Sequence, residues 1–189
     1  GLAIPPDELL VPRSYLRVLD LAGQWELGRR FEAALCLEVA EHLEARHSGD
    51  LLDSLTRHSN FIVFSAACPR QPGQHHVNLQ WPAYWQQLFN NRGYVCSDAV
   101  RWRLWELEPV EPWYRQNIFT ARRAPEEAGK EPRIRAVVHP EILPLLKSEM
   151  QKESLRAHLE QVQQGSLPIG WYFKAPFWAF LAKLRRRLS

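Results

Sequence analysis

The sequence has no apolar stretch long enough to cross a bilayer, no pair of cysteines in Cys-x-x-Cys spacing, and no strong excess of either charge. The first absence excludes a segment resembling a membrane span. Cys36, Cys68 and Cys96 are unpaired in number, which fits a reducing compartment and hence the cytoplasm. A net charge of only +3 creates no global demand for nucleic acid or a membrane surface. There is no secretory signal and no internal repeat. The sequence starts at Gly1 and its only methionine is Met150, so it reads as a fragment or a processed chain.

What is present is a composition of 46% apolar and 24% charged residues over 189 positions, enough for one sizeable core. Eight tryptophans, gathered in the middle and at the end of the chain, suggest aromatic-lined surfaces. The stretch from Phe61 to Asn78 organises the rest. Phe61 to Phe64 is a continuous apolar run with a β-branched centre, predicting a strand buried on both faces. It runs into Ser65-Ala66-Ala67 and then a loop with two prolines, two glutamines, His75, His76 and Asn78. In an open α/β sheet such a loop lies where ligands bind, beyond the carboxyl ends of the strands.

Residues 1–12 are punctuated by proline and read as a connection. Tyr15 to Leu21 predicts a short strand with Asp20 near its carboxyl end, although Asp20 also reads as a turn residue or cap. Phe31 to Leu37 predicts a second strand, followed by Glu38-Val39-Ala40-Glu41-His42; its alanines and leucines leave a helix open. Ser48 to His58 carries Leu51, Leu52 and Leu55 at helical spacing. Pro82 opens and Gly93 closes a helix with Tyr84, Trp85, Leu88 and Phe89 on one face. Tyr94 to Trp105 predicts a strand fraying into an aromatic loop, Pro112 to Gln116 a single turn, and Asn117 to Arg122 a last strand. Strands alternating with helices imply parallel βαβ units. The polar stretch 124–132 reads as a linker between an α/β domain, 1–123, and a helical extension, 133–189.

FEAALCLEVAEHL, the loop pattern Pro69-x-Gln71-x-Gly73-x-x-His76-x-Asn78 followed by Tyr84-Trp85, and WYRQNIF together resemble part of a class I S-adenosylmethionine-dependent methyltransferase domain of the methyltransferase 23-like type. The resemblance covers about Gly1 to Arg122. It implies a partial Rossmann-like, mostly parallel sheet with flanking helices, plus the C-terminal helical appendage. It places Asp20, Leu21, Leu37, Glu38 and His42 beside S-adenosylmethionine. It turns Gln71, His76, Asn78, Tyr84 and Trp113 toward a small-molecule or sugar-type acceptor, with His76 as the catalytic base or as a residue that merely pins the loop. No G-x-G-x-G occurs in the chain, and Arg70, Pro72 and His75 stand where the family tends to have small residues. The chain alone is therefore expected to bind S-adenosylmethionine weakly or not at all.

The leading expectation is a truncated domain for methyl transfer; the alternative is a non-catalytic remnant acting as an interaction module. Metal-dependent hydrolysis through His75, His76 and a carboxylate lacks H-x-H or H-x-x-x-H spacing, so no metal site is expected. Nucleic-acid binding would rest on Arg185, Arg186 and Arg187 alone and is not expected. The aromatic and basic segment from Trp171 to Ser189 predicts a terminal helix docked on the sheet, with peripheral contact to an anionic membrane as the alternative.

Overall fold

The computed structural model describes residues 10–171 and Lys174. Four strands, β1 (Ala34–Leu37), β2 (Phe61–Ser65), β3 (Tyr94–Ser97) and β4 (Phe119–Arg123), form one open sheet in the order β1-β2-β4-β3. The sheet is mixed, which corrects the mostly parallel sheet expected. Only β1 and β2 pair in parallel, with Cys36 beside Phe64, while β4 runs antiparallel to both β2 and β3. The reversal follows from where β4 begins. The short helix α4 (Pro112–Asn117) ends at Asn117, whose side chain bonds Gln71 beyond the carboxyl end of β2. A strand starting there must run back along β2, and Phe119 falls opposite Phe64.

The helices follow their punctuation. α1 spans Ser48–His58 and buries Leu51, Leu52 and Leu55. α2 spans Pro82–Asn90, with proline in its first turn and Gly93, at φ +76°, just past its end, where a β-carbon would be strained. Phe64, wholly buried on β2, meets Trp85, Phe89 and Phe119 at ring-centroid distances of 5.2 to 5.4 Å. This aromatic cluster joins α2 to the sheet; offset and edge contacts of this kind add to the hydrophobic gain.

Three further expectations are corrected. Tyr15 to Leu21 forms no strand: Arg13–Tyr15 is a 3₁₀ turn, Tyr15 and Val18 are exposed, and Asp20 closes a local turn by accepting from Ala22 N–H at 3.0 Å. With no neighbouring strand, its backbone has no ladder to join. The second strand is shorter than Phe31 to Leu37, since Phe31 makes only an isolated bridge to Ser59. Tyr94 to Trp105 gives a four-residue strand and then a helix, α3 (Ala99–Leu104), which seats the buried Arg101 against Asp98 and the Arg135 carbonyl.

The polar stretch 124–132 is tied to the sheet. The Glu131 carboxylate accepts from Asn90 Nδ2 at 2.6 Å, Cys96 N–H at 3.0 Å and Gln86 Nε2 at 3.1 Å. Beyond it Ile134, His139 and Ile142 are buried. A long helix, α5 (Leu143–Gln163), follows. The chain divides into two compact units at Leu146, Gly1–Leu146 and Lys147–Ser189. Among the described residues no helix is long and apolar enough to cross a membrane. Nearly all of the expected terminal helix from Trp171 to Ser189 lies outside the described residues.

Candidate functional site

The turn leaving β1 places the first acid. Glu38 has φ +51°, a left-handed conformation uncommon for a residue with a side chain, and its N–H is held by both the Ser65 carbonyl and the Ser65 hydroxyl at 3.1 Å. The next residues form a 3₁₀ turn, Ala40–His42. The Glu41 carbonyl accepts from Val77 and Asn78 N–H at 2.9 and 3.0 Å, which fastens the loop after β2 to this turn. Glu38, Glu41, His42 and His76 are thereby drawn to one cavity of about 300 Å³, together with Gln71. Pro72, Trp113, Ile142 and Leu145 supply its apolar wall.

A line of amides orients Glu38. Gln71 Nε2 donates to Glu38 Oε2 at 2.9 Å, and Asn117 Nδ2 donates to Gln71 Oε1 at 2.8 Å. Gln116 Nε2 donates to Asn117 Oδ1 at 3.1 Å, and Gln116 Oε1 accepts from His139 N–H at 2.8 Å. These amides have no charge to lose, so they fix a carboxylate without neutralising it. Burial, followed by the charge of Glu41, pushes the Glu38 carboxyl up to about 7. Burial also raises Glu41, neither of whose carboxylate oxygens has a hydrogen-bond partner among the described residues. An unsatisfied buried carboxylate costs on the order of 1–3 kcal/mol or more, which is consistent with a site shaped for something else to bind there.

His76 faces these acids with a defined tautomer. Its Nδ1 lies 3.2 Å from the Gln71 carbonyl, which can only accept, so in the neutral ring the proton sits on Nδ1 and the lone pair on Nε2. The His42 ring stands edge-on to it at 5.0 Å. Glu41, His42 and His76 each offer one ligand atom, and these atoms lie within 4.8 Å of one another. One carboxylate and two imidazoles suit a first-row divalent cation, and three protein ligands leave positions open for water or substrate. The sequence reading missed this cluster because it looked for histidines close in sequence. The signal present was Glu38-x-x-Glu41-His42, a turn that brings acid, acid and imidazole to one end.

The structure brings together five of the residues singled out from sequence: Glu38, His42, Gln71, His76 and Trp113. It does not bring the others to this cavity. Asp20 is exposed, Leu21 packs on the edge of the core, and Leu37 is half-buried at the end of β1. Asn78 is buried and donates to Ser48 Oγ at 3.0 Å, holding the loop to α1. Tyr84 lines a different, polar cavity along α2 with Gln80 and Glu131. His75 stays exposed in the loop. A scan of protein-family models, a search of curated proteins and a search of solved structures each find no match for this chain.

Proposed function

We propose that the cavity at Glu38 is the acceptor side of an S-adenosylmethionine-dependent methyl transfer, binding a small hydroxylated or sugar-type molecule with the help of a divalent cation on Glu41, His42 and His76. The observation that carries this reading is the meeting of two raised carboxyls and two imidazoles at one 300 Å³ cavity with an aromatic and aliphatic wall. S-adenosylmethionine would supply the methyl group. The described residues assemble no full cradle for it: Asp20 is spent on a turn with Ala22, and the chain has no G-x-G-x-G. What the chain's own residues supply is the acceptor side.

A hydroxyl group is a poor nucleophile until its proton leaves. Glu38, with a carboxyl titrating at about 7 and both oxygens oriented by amides, is suited to receive that proton at neutral pH. The Trp113 and Pro72 surfaces pack against the carbon skeleton and exclude water, while His42 and His76 orient the polar end. In this reading His76 gives its Nε2 to the cation, and Glu38 takes the role of base that the sequence reading gave to His76.

The test uses 4-nitrocatechol, a vicinal diol whose visible spectrum shifts when it is deprotonated or coordinated. The expected result is a saturable spectral shift that needs both the protein and Mn²⁺, vanishes with chelator, and is lost in His76→Ala. Methyl-labelled S-adenosylmethionine in large excess should then label the diol. A spectrum indifferent to protein in the presence of Mn²⁺ would contradict the reading.

A further inference from the structure

At the other end of the strands another cavity, of about 540 Å³, is lined by four arginines: Arg30, Arg57, Arg92 and Arg123. They come from four separate segments: the residue before Phe31, the last turn of α1, the turn after α2, and the end of β4. One carboxylate faces them, Asp53, and it is taken by Arg92 Nε at 2.7 Å. Arg92 also donates to the Leu88 and Gly49 carbonyls, and Arg57 lies 3.7 Å from Glu26 outside the cavity and donates to the Trp25 carbonyl and Gln24 Oε1. Arg30 donates to the Arg57 carbonyl and to Asn60 Oδ1, neither of them an anion. The Arg123 guanidinium has no hydrogen-bond or ion-pair partner among the described residues.

Gathering like charges around a concavity is unfavourable unless a counter-charge enters, because each pair repels and the walls reduce screening. The strand pairing enforces the gathering here: Arg123 N–H bonds the Asn60 carbonyl at 2.8 Å, fixing the end of β4 beside the start of β2. The buried Tyr94 forms part of the wall, and because its hydroxyl already donates to the Ser59 and Thr56 carbonyls, the arginines are left as the donors to an anion. All four cations are arginine and none is lysine. A planar fork pairs two donors with two oxygens of a phosphate, which a lysine ammonium cannot match.

We infer that this arginine cavity binds the terminal phosphate of a soluble phosphomonoester or diphosphate. A duplex nucleic acid or a bilayer calls for cations spread over an extended face, whereas these line one open concavity. The site lies at the opposite end of the sheet from Glu38 and stands or falls independently of the methyl-transfer reading.

The experiment is calorimetric titration of the whole chain with pyrophosphate and with glycerol 3-phosphate, repeated for Arg123→Gln, Arg30→Gln and Arg103→Gln. Arg123 and Arg30 are exposed, so their replacement spares the core; Arg103 is an exposed arginine on α3 outside the cavity. The expected result is saturable binding that weakens at least tenfold in R123Q and R30Q, about 1.4 kcal/mol, and is unchanged in R103Q. Absence of binding to either phosphate compound would overturn the inference. So would equal weakening in R103Q, or Arg123-dependent capture of duplex RNA or anionic vesicles by a chain that binds neither phosphate compound.

Discussion

A β-carbon at position 73 would lie 2.1 Å from Cε1 of the His76 imidazole. The glycine therefore lets the loop after β2 fold its histidine back over the chain, where Nδ1 meets the Gln71 carbonyl.

Gly73→Ala is accordingly expected to push the His76 ring out of its seat while leaving the fold intact, because position 73 is exposed. Divalent-cation affinity should fall by about 10- to 100-fold, the usual effect of disturbing a ligand's orientation. Nitrogen-detected NMR of the histidine rings would show the His76 signals shift and the His58 signals stay, with an unchanged denaturation midpoint.

Glu38 links stability to pH in the direction opposite to most acids. Its folded carboxyl titrates at about 7 against the ordinary 4.5, so between those values the folded state holds a proton the unfolded chain has lost. Stability from this group is full below about pH 4.5 and declines as pH rises through 7. Glu38→Gln should thus raise stability by about 1 to 2 kcal/mol at pH 8 and change little at pH 4.5, read by urea denaturation at both.

Glu131 behaves in the usual direction. Burial opposes its ionisation, but the donors of Asn90, Cys96 N–H and Gln86 outweigh that and pull the carboxyl down to about 2. Its contribution is present above about pH 4.5 and is lost as pH falls through 2. Glu131→Gln should cost about 2 kcal/mol at neutral pH, the scale of charged hydrogen bonds, and remove part of the acid sensitivity between pH 4.5 and 2. Thermal melts across that window measure it.

Local elements with strong punctuation were legible in the sequence. Leu51, Leu52 and Leu55 mark α1 to its observed ends, and Pro82 with Gly93 brackets α2. Phe61 to Phe64 announces β2, although Phe61 is 38% exposed, so the strand is not buried along its whole length. Strand direction was not legible, because an extended pattern such as Phe119 to Arg123 looks the same whichever way it runs. That direction is decided by Asn117, whose amide finds Gln71 and anchors the start of β4. Tyr15 to Leu21 looked extended for the same local reasons but has no strand to pair with.

The candidate site was half legible. The polar loop and Glu38-x-x-Glu41-His42 were visible as separate stretches. Their meeting depends on Val77 and Asn78 bonding the Glu41 carbonyl, a long-range backbone contact that no side-chain pattern encodes. Ile142 and Leu145 close the cavity from a segment assigned to the helical extension, and Glu131, which holds the intervening stretch to α2, read as one more charge in a polar linker.

Binding of Mn²⁺, followed by loss of the free-ion electron paramagnetic resonance signal, tests the central claim most directly. The account predicts one ion per chain, with affinity rising as pH passes 7 and Glu38, beside the ligands, loses its proton, and falling at least about tenfold in Glu41→Gln and in His76→Ala. A free-ion signal unaffected by the protein, or equal affinity in the wild type and both variants, would contradict it.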